Sequence, residues 1–334
     1  MSKKTLETTD SQESQQTSNI KRIQEFLIAY PGYMKRGCDN LSRKLNCTYE
    51  EVKQAKKGLK IDSISLVGEV EESVQIPEII HMPNILIIDI ETAPLKVFVW
   101  RLWKQDVYID QIISEWFMIS WSAKWLGSPD VYAERLTSEE AVEENDKRII
   151  TKLWNLLNDA DIVIAHNGDA FDIPKIKTRF LLHGLPPTTF YHQIDTKKVA
   201  SKEFGFSSNK LDFLAQSFGV GQKIHTEFSL WENCLKGDEE ALEQMSVYNT
   251  QDVIILEQVY LKLRPYIKGH PNVTLYDEKH PNRCPSCGGM HLYKEDLYYT
   301  QVSKFQVYRC QDCGSLSRDR KNIGTRPSNL SLGK

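Results

Sequence analysis

The spacing of apolar residues changes period along the chain. Ile20, Ile23, Phe26, Leu27 and Tyr30 keep helical spacing until Pro31-Gly32 stops the run. Leu41 and Leu45 mark a short second helix. Thr48 and Glu51 form a capping box for a third, with Val52, Ala55 and Leu59 on one face. Residues 20–60 are therefore predicted as a small helical domain, and the two short helices joined through Asn46-Cys47-Thr48 suggest a helix-turn-helix. Residues 1–19 are polar and read as a disordered arm, while 61–83 read as a linker with a strand at Ser63–Val67.

From residue 84 the pattern shortens to strand-length runs. ILIID (85–89) is a buried strand; WFMISWSAKWL (116–126) and DVYAERL (130–136) are the next two, with Gly127-Ser128-Pro129 as the turn between them. Thr137 and Glu140 cap a long helix carrying Val142, Ile149, Ile150, Leu153, Trp154 and Leu157. DIVIAH (161–166) is another buried strand, followed by a helix through Ile173, Ile176 and Phe180 that stops near Gly184. A short strand is expected at Tyr191–Ile194, and helices from Asn209 to about Ile267. Strands first, then alternating helix and strand, predict an α/β sheet covered by helices over residues 84–268.

Composition narrows the class. The 334 residues are 40% apolar and 26% charged, with a net charge of −3, which argues against a uniformly basic coat for nucleic acid but allows local patches. One such patch is the helical domain, where residues 20–60 hold ten Lys/Arg against four Asp/Glu, with Lys53, Lys56, Lys57 and Lys60 on or just after the third helix. It reads either as a surface for the DNA backbone or as the solvated face of a small bundle. No apolar run reaches the roughly 18 residues of a membrane span, and the N-terminus lacks a secretory signal, so a cytoplasmic, reducing location is expected and no membrane partner. The seven cysteines then read as thiols or metal ligands.

The first buried strand ends strangely. Asp89 and Glu91 follow its apolar run two residues apart, so they share a face. Adjacent anions repel, and a divalent cation removes that penalty; Mg²⁺ and Mn²⁺ prefer such oxygen ligands. Two further stretches carry acids in suggestive places. In AHNGDAFDIPKI (165–176), Asn167-Gly168 ends a strand, and Phe171-Asp172 opens a helix. In VYNTQDVIILEQVY (247–260), Tyr248 and Asp252 share one face of a helix. Each alone is equally a strand end, a helix-dipole acid or an amphipathic edge.

Together, in this order, the three resemble the motifs of the DEDD superfamily of 3′→5′ exonucleases, in its tyrosine-bearing branch. Asp89 and Glu91 fit the first motif; Asn167, Phe171 and Asp172 the second; Tyr248 and Asp252 the third. The resemblance, over about residues 84–267, is to the proofreading domains of family B DNA polymerases and to stand-alone exonucleases, several from phages. It implies a ribonuclease H-like mixed sheet with flanking helices. It also implies hydrolysis of phosphodiester bonds at nucleic-acid 3′ ends by two Mg²⁺ or Mn²⁺ ions roughly 3.5–4 Å apart. DNA is the favoured substrate. An exoribonuclease of the ribonuclease D type and a non-catalytic nucleic-acid-binding module are the alternatives. Asp89 would bridge both ions, Glu91 and Asp172 would complete one site, and Asp252 would support the other. Tyr248, with an ordinary pKa of about 10, would orient the attacking water rather than act as base.

Around these lie candidates for holding the 3′ end: the Thr92 backbone, Asn167, Phe171, Asn209 and Lys210. Phe171 reads as core packing, with wedging against a base as the alternative. Asp195 reads as a supporting acid or a strand-end cap. A replication or repair complex is a candidate partner, and the bacterial cytoplasm or a phage-infected cell a fitting location.

Beyond the α/β domain, Cys284, Cys287, Cys310 and Cys313 form C-x₂-C-x₂₂-C-x₂-C, with glycine after each second cysteine. That spacing suits one structural Zn²⁺ in a zinc ribbon over residues 280–316, its strands HLYKEDLYYT and KFQVYRC; a disulfide pair is the main alternative and conflicts with the expected reducing location. Tyr293, Tyr298, Tyr299, Phe305 and Tyr308 read as base-stacking groups or as the ribbon's own core. Residues 317–334, with Arg318, Arg320, Lys321 and Arg326, read as a flexible basic tail. Cys38, Cys47 and Cys234 are left over and read as buried or inert.

Overall fold

Two units make up the chain in this computed structural model, Met1–His81 and Met82–Lys334. The structure describes residues 19–25, 27, 48–65, 82–277, 280 and 282–324. The expected arm, the second helix with its turn through Asn46-Cys47, and Cys38 lie outside the described residues, as do Arg326 and most of the linker. None of the helices among the described residues is long and apolar enough to cross a membrane.

In the first unit, residues 19–25 are helical, and helix α1 covers Tyr49–Ser65. Ile23, Leu27, Val52 and Ala55 are buried, as their spacing predicts, while Lys53 and Lys57 are exposed. The capping box is formed: the Thr48 N–H donates to Glu51 Oε2 at 2.7 Å, and the Glu51 N–H donates to Thr48 Oγ1 at 3.3 Å. α1 runs through Ser65, over the first residues of the strand expected at Ser63–Val67. No proline or turn dipeptide intervenes before that point, so the helix continues.

The second unit is built on a five-stranded sheet in the order β5-β4-β1-β6-β7. Its strands are β1 (Ile85–Thr92), β4 (Met118–Trp125), β5 (Val131–Arg135), β6 (Ile162–Ala165) and β7 (His192–Asp195). β1 lies at the centre, antiparallel to β4 and parallel to β6, which explains its unbroken apolar run. Leu86, Ile88 and Ile90 face one core; Ile85 and Ile87 face the other. Helices α3 (Lys147–Asp159), α4 (Asp172–Leu182) and α7 (Phe228–Leu235) supply Leu153, Ile176 and Leu230 to the first core. Helices α5 (Thr196–Glu203) and α6 (Leu211–Phe218) supply Ala200 and Leu214 to the second. The long α8 (Glu239–Leu263) serves both: Leu242 and Met245 enter the first core, Leu256 and Val259 the second.

Several expectations are corrected. The single long helix after Thr137 is two, α2 (Ser138–Val142) and α3, because Glu144 adopts φ +57° and its carboxylate binds Lys96 and Ser114. Asp146, at the break, is fully buried between the Met118 N–H and the Arg179 and His183 side chains. α5 was not expected; Asp195 caps it by accepting from the Lys197 and Lys198 N–H groups. A two-stranded piece, β2 (Lys96–Val97) with β3 (Ile112–Ser114), was also not expected.

The cysteine module is a three-stranded antiparallel sheet of β8 (Leu292–Tyr299), β9 (Lys304–Cys310) and β10 (Leu316–Arg318). β10 takes the start of the expected flexible tail, and Arg318 stacks 4.3 Å from the Phe305 ring. The module meets the C-terminal end of α8. Tyr260, buried in that helix, bonds His270 at 2.8 Å, and the Val273 N–H donates to the Pro285 carbonyl at 2.9 Å.

Candidate active site

β1 delivers Asp89 and Glu91 to one face of the sheet, and α8 crosses that face with Tyr248 and Asp252. The strand shifts register between Glu91 and Thr92, an irregularity that turns the chain away just after the second acid. Carboxylate oxygens of Asp89, Glu91 and Asp252 all lie within 4.8 Å of one another. Asp172, buried in the first turn of α4, stands beside this set but is not one of it. Its negative charge adds to the rise in pKa at both Asp89 and Glu91.

Electrostatics mark the cluster as strained without a cation. Burial, then the charges of Asp172, Glu91 and Asp252, hold the Asp89 carboxyl well above its ordinary value. Burial pushes Glu91 up to about 8, against the pull of Lys223. Burial also raises Asp172 to about 7, although main-chain donors at Asp172 and Ile90 draw it back. Asp252 is raised by burial and restrained by Lys223.

Lys223 is a residue the sequence reading missed. Its Nζ lies 2.5 Å from Asp252 Oδ2 and donates to the Tyr248 hydroxyl at 2.7 Å. Its loop is fastened where the Lys223 N–H donates to Asp212 Oδ1 at 3.1 Å. Asn249 was missed too: fully buried, it donates from Nδ2 to Asp89 Oδ2 at 2.6 Å. One signal for it was available, since an amide inside the Tyr-x-x-x-Asp motif on a buried helix needs polar partners. Lys223 gave no signal, because a lysine in a polar loop looks solvated.

The remaining candidates divide. Asn167 adopts φ +72°; its N–H donates to Asp195 Oδ1 at 3.0 Å, and its side-chain oxygen accepts from Lys197 at 3.2 Å. Gly168 is required next to it, because a Cβ there would stand 2.4 Å from that of Ala165. Asp195 anchors the 167–169 turn and caps α5, and its charge also adds to the rise in the Asp172 pKa. Phe171 is 38% exposed, which removes the core-packing reading; Lys175 sits 5.1 Å above its ring and 3.7 Å above that of Trp116. Asn209 accepts through its carbonyl from His166 Nε2 at 2.9 Å, and Lys210 is exposed at the start of α6. Burial lowers the His166 pKa to about 4, so that imidazole is neutral. Thr92, Asn209 and Lys210 are not among the groups that bond to the four acids.

At the cysteine module, Sγ of Cys284 and Cys313 are 3.6 Å apart and those of Cys287 and Cys310 are 3.7 Å apart. Four thiolates at 2.3 Å from a tetrahedral zinc would be separated by about 3.8 Å, and a disulfide would need about 2.0 Å. Gly288 and Gly314, at φ +75° and +80°, make the two knuckle turns. Cys234 is buried, and its thiol is pushed up to about 12.

Residues 128–264 match the family model RNase_H_2, described as RNase_H superfamily. The domain is ribonuclease H-like. The matched span of this ribonuclease H-like domain includes Asp172, Tyr248 and Asp252, and begins after the strand with Asp89 and Glu91. Among solved structures, the chain is similar to the family B DNA polymerase from the hyperthermophilic archaeon Pyrobaculum calidifontis. That similarity has a TM-score of 0.39 and 12% identity, over 66% of this chain and 31% of the polymerase. The chain thus spans about a third of that polymerase's length. No curated protein matches the chain.

Proposed function

We propose that this chain is a metal-dependent 3′→5′ exonuclease that hydrolyses phosphodiester bonds at nucleic-acid 3′ ends, with DNA favoured. The observation that carries this reading is the convergence of Asp89, Glu91 and Asp252, with Asp172 beside them, from three separated stretches of chain. The donor set fits divalent cations. It is all oxygen, and one positive charge from Lys223 cannot neutralise three carboxylates. Asp252 also keeps Oδ1 buried without a hydrogen-bond partner. Asp89, Glu91, Asp252 and Asp172 would hold Mg²⁺ or Mn²⁺. Bound there, the ions would generate hydroxide from water and stabilise the leaving 3′ oxygen.

The protein's own groups do the positioning. Burial raises the Tyr248 pKa above its ordinary value, so the phenol stays protonated at neutral pH. Its oxygen accepts from Lys223, which leaves its single proton to orient a water lone pair. Lys223 donates to Asp252 as well, tying the two motif residues to one ammonium. Asn249 fixes the rotation of Asp89. By the spacing of its sulfurs, the four-cysteine cluster would hold one structural Zn²⁺.

The test is incubation of 3′- and 5′-labelled DNA and RNA oligonucleotides with Mg²⁺, Mn²⁺ or EDTA. The expected result is stepwise loss from the 3′ end that EDTA stops and that Asp89→Ala abolishes while its circular dichroism stays native. Hydrolysis that persists in EDTA or in Asp89→Ala would refute the proposal, as would no hydrolysis of any substrate.

A further inference from the structure

Between β2 and β3 the chain makes an excursion, residues 98–111, whose apolar side chains face outward. Trp100 is 94% exposed and Trp103 80%, and Phe98, Leu102, Tyr108 and Ile109 are exposed with them. Contiguous apolar surface of this kind on a water-facing loop marks a binding site. The loop is held by its own bonds. Arg101 donates from Nη2 to the Lys104 carbonyl at 2.7 Å and from its N–H to Gln105 Oε1 at 3.2 Å. Gln111 donates from Nε2 to the Phe98 carbonyl at 3.1 Å, and its Oε1 accepts the Tyr108 N–H at 2.8 Å. The rings are thus presented, not left loose.

Two observations say what covers them. First, each tryptophan is followed by a cation, Arg101 after Trp100 and Lys104 after Trp103, neither in an ion pair among the described residues, while the loop's two acids, Asp106 and Asp110, lie C-terminal to this stretch. Bases stack on aromatic faces while phosphates seek Arg and Lys, so this alternation matches a single strand of nucleic acid. Second, the loop springs from the catalytic strand. β2 begins four residues after Thr92, and the return strand β3 leads to Trp116, whose ring shares Lys175 with the ring of Phe171, the residue before Asp172.

We propose that the 98–111 loop is a stacking platform for the single-stranded segment of the substrate, continuous with the active site through Trp116, Lys175 and Phe171. This rests on the nuclease reading for its direction, toward the 3′ end, but its binding test does not require hydrolysis. The bases of a single strand stack on Trp100 and Trp103, and Arg101 and Lys104 hold the intervening phosphates.

The experiment measures binding of phosphorothioate oligodeoxynucleotides in EDTA by tryptophan quenching and by anisotropy of a labelled strand. It compares wild type with Trp100→Ala/Trp103→Ala and with Arg101→Gln/Lys104→Gln. Removing a stacking ring costs roughly 5- to 150-fold per base, so the first variant should bind an oligonucleotide of about sixteen residues at least about 25-fold more weakly. Its quenching amplitude should fall as well. The second variant should flatten the salt dependence, by about 0.7 in slope for each phosphate no longer neutralised. Both rings are exposed, so thermal unfolding should be unchanged. Undiminished affinity in the first variant overturns the platform. So does a wild-type dimer in sedimentation that the first variant dissociates with affinity unaltered, since the surface would then be a protein interface. Retained hydrolysis with either result leaves the nuclease reading standing; absent hydrolysis with weakened binding sinks that reading alone.

Discussion

Glu91→Gln should stabilise the metal-free protein. The Glu91 carboxyl is pushed up to about 8, chiefly by burial, with Asp252 and Asp172 adding to it. The unfolded chain holds that group near its ordinary value of about 4.3. Between these values the folded state binds more protons than the unfolded state, so stability falls as pH rises through the window. At pH 7 most of that window has been crossed, and the native state carries a penalty of about 3 kcal/mol from this one group. Glutamine keeps the shape, and no hydrogen bond to the Glu91 carboxylate among the described residues is broken. For a domain of this size each kcal/mol moves the midpoint by about 2–4 °C, so the variant should unfold roughly 6–12 °C higher at pH 7 in EDTA. The gain should shrink toward zero at pH 4.5. Wild type should recover the difference when excess Mg²⁺ is added, because an ion that binds only the folded state shifts unfolding by mass action. The assay is thermal unfolding by circular dichroism from pH 4.5 to 8.5, with and without Mg²⁺. A variant with an unchanged or lower midpoint in EDTA at pH 7 would show that the cluster is not electrostatically strained.

Three other outcomes are expected. Tyr248→Phe removes the proton that orients water but not the carboxylates, so it should lower kcat about 10- to 100-fold with Mg²⁺-induced stabilisation retained; unchanged kcat would remove the hydroxyl from the mechanism. Glu257→Ala leaves Lys124 buried without the carboxylate 2.8 Å away and the Gly127 N–H without its acceptor, and should cost about 3–5 kcal/mol in urea unfolding. A loss under about 1 kcal/mol would mean water replaces the pair. Cys287→Ser should lower zinc content measured by atomic emission from about one per chain and leave 292–318 open to limited proteolysis; full zinc content would disprove the four-sulfur site.

The elements of the sheet were legible because β1 and β6 are buried on both faces and read as continuous apolar runs, bounded by turn residues. The acids were legible by the same logic inverted, since Asp89 breaks an apolar run where a charge is costly. Elements held by long-range bonds were not. The break between α2 and α3 depends on Lys96 and Ser114, distant in sequence, reaching Glu144. β2 and β3 are too short for a two-residue period to show. β10 is three residues that make sense only beside β9. Lys223 and Asn249 fall in the same class: what each does is set by a partner that folding brings from another part of the chain.

Helix α8 has a further consequence for how this chain can vary. Asp252 is aimed at β1, and about two turns further on Tyr260 and the segment after Leu263 are locked to His270 and the cysteine module. An α-helix rotates about 100° per residue. A single codon inserted or deleted between Asp252 and Tyr260 would therefore swing one end a quarter-turn or more off its target. Among natural variants of this sequence, length changes belong in exposed loops such as the one around Ser207, and the interval from Asp252 to Tyr260 should keep its length.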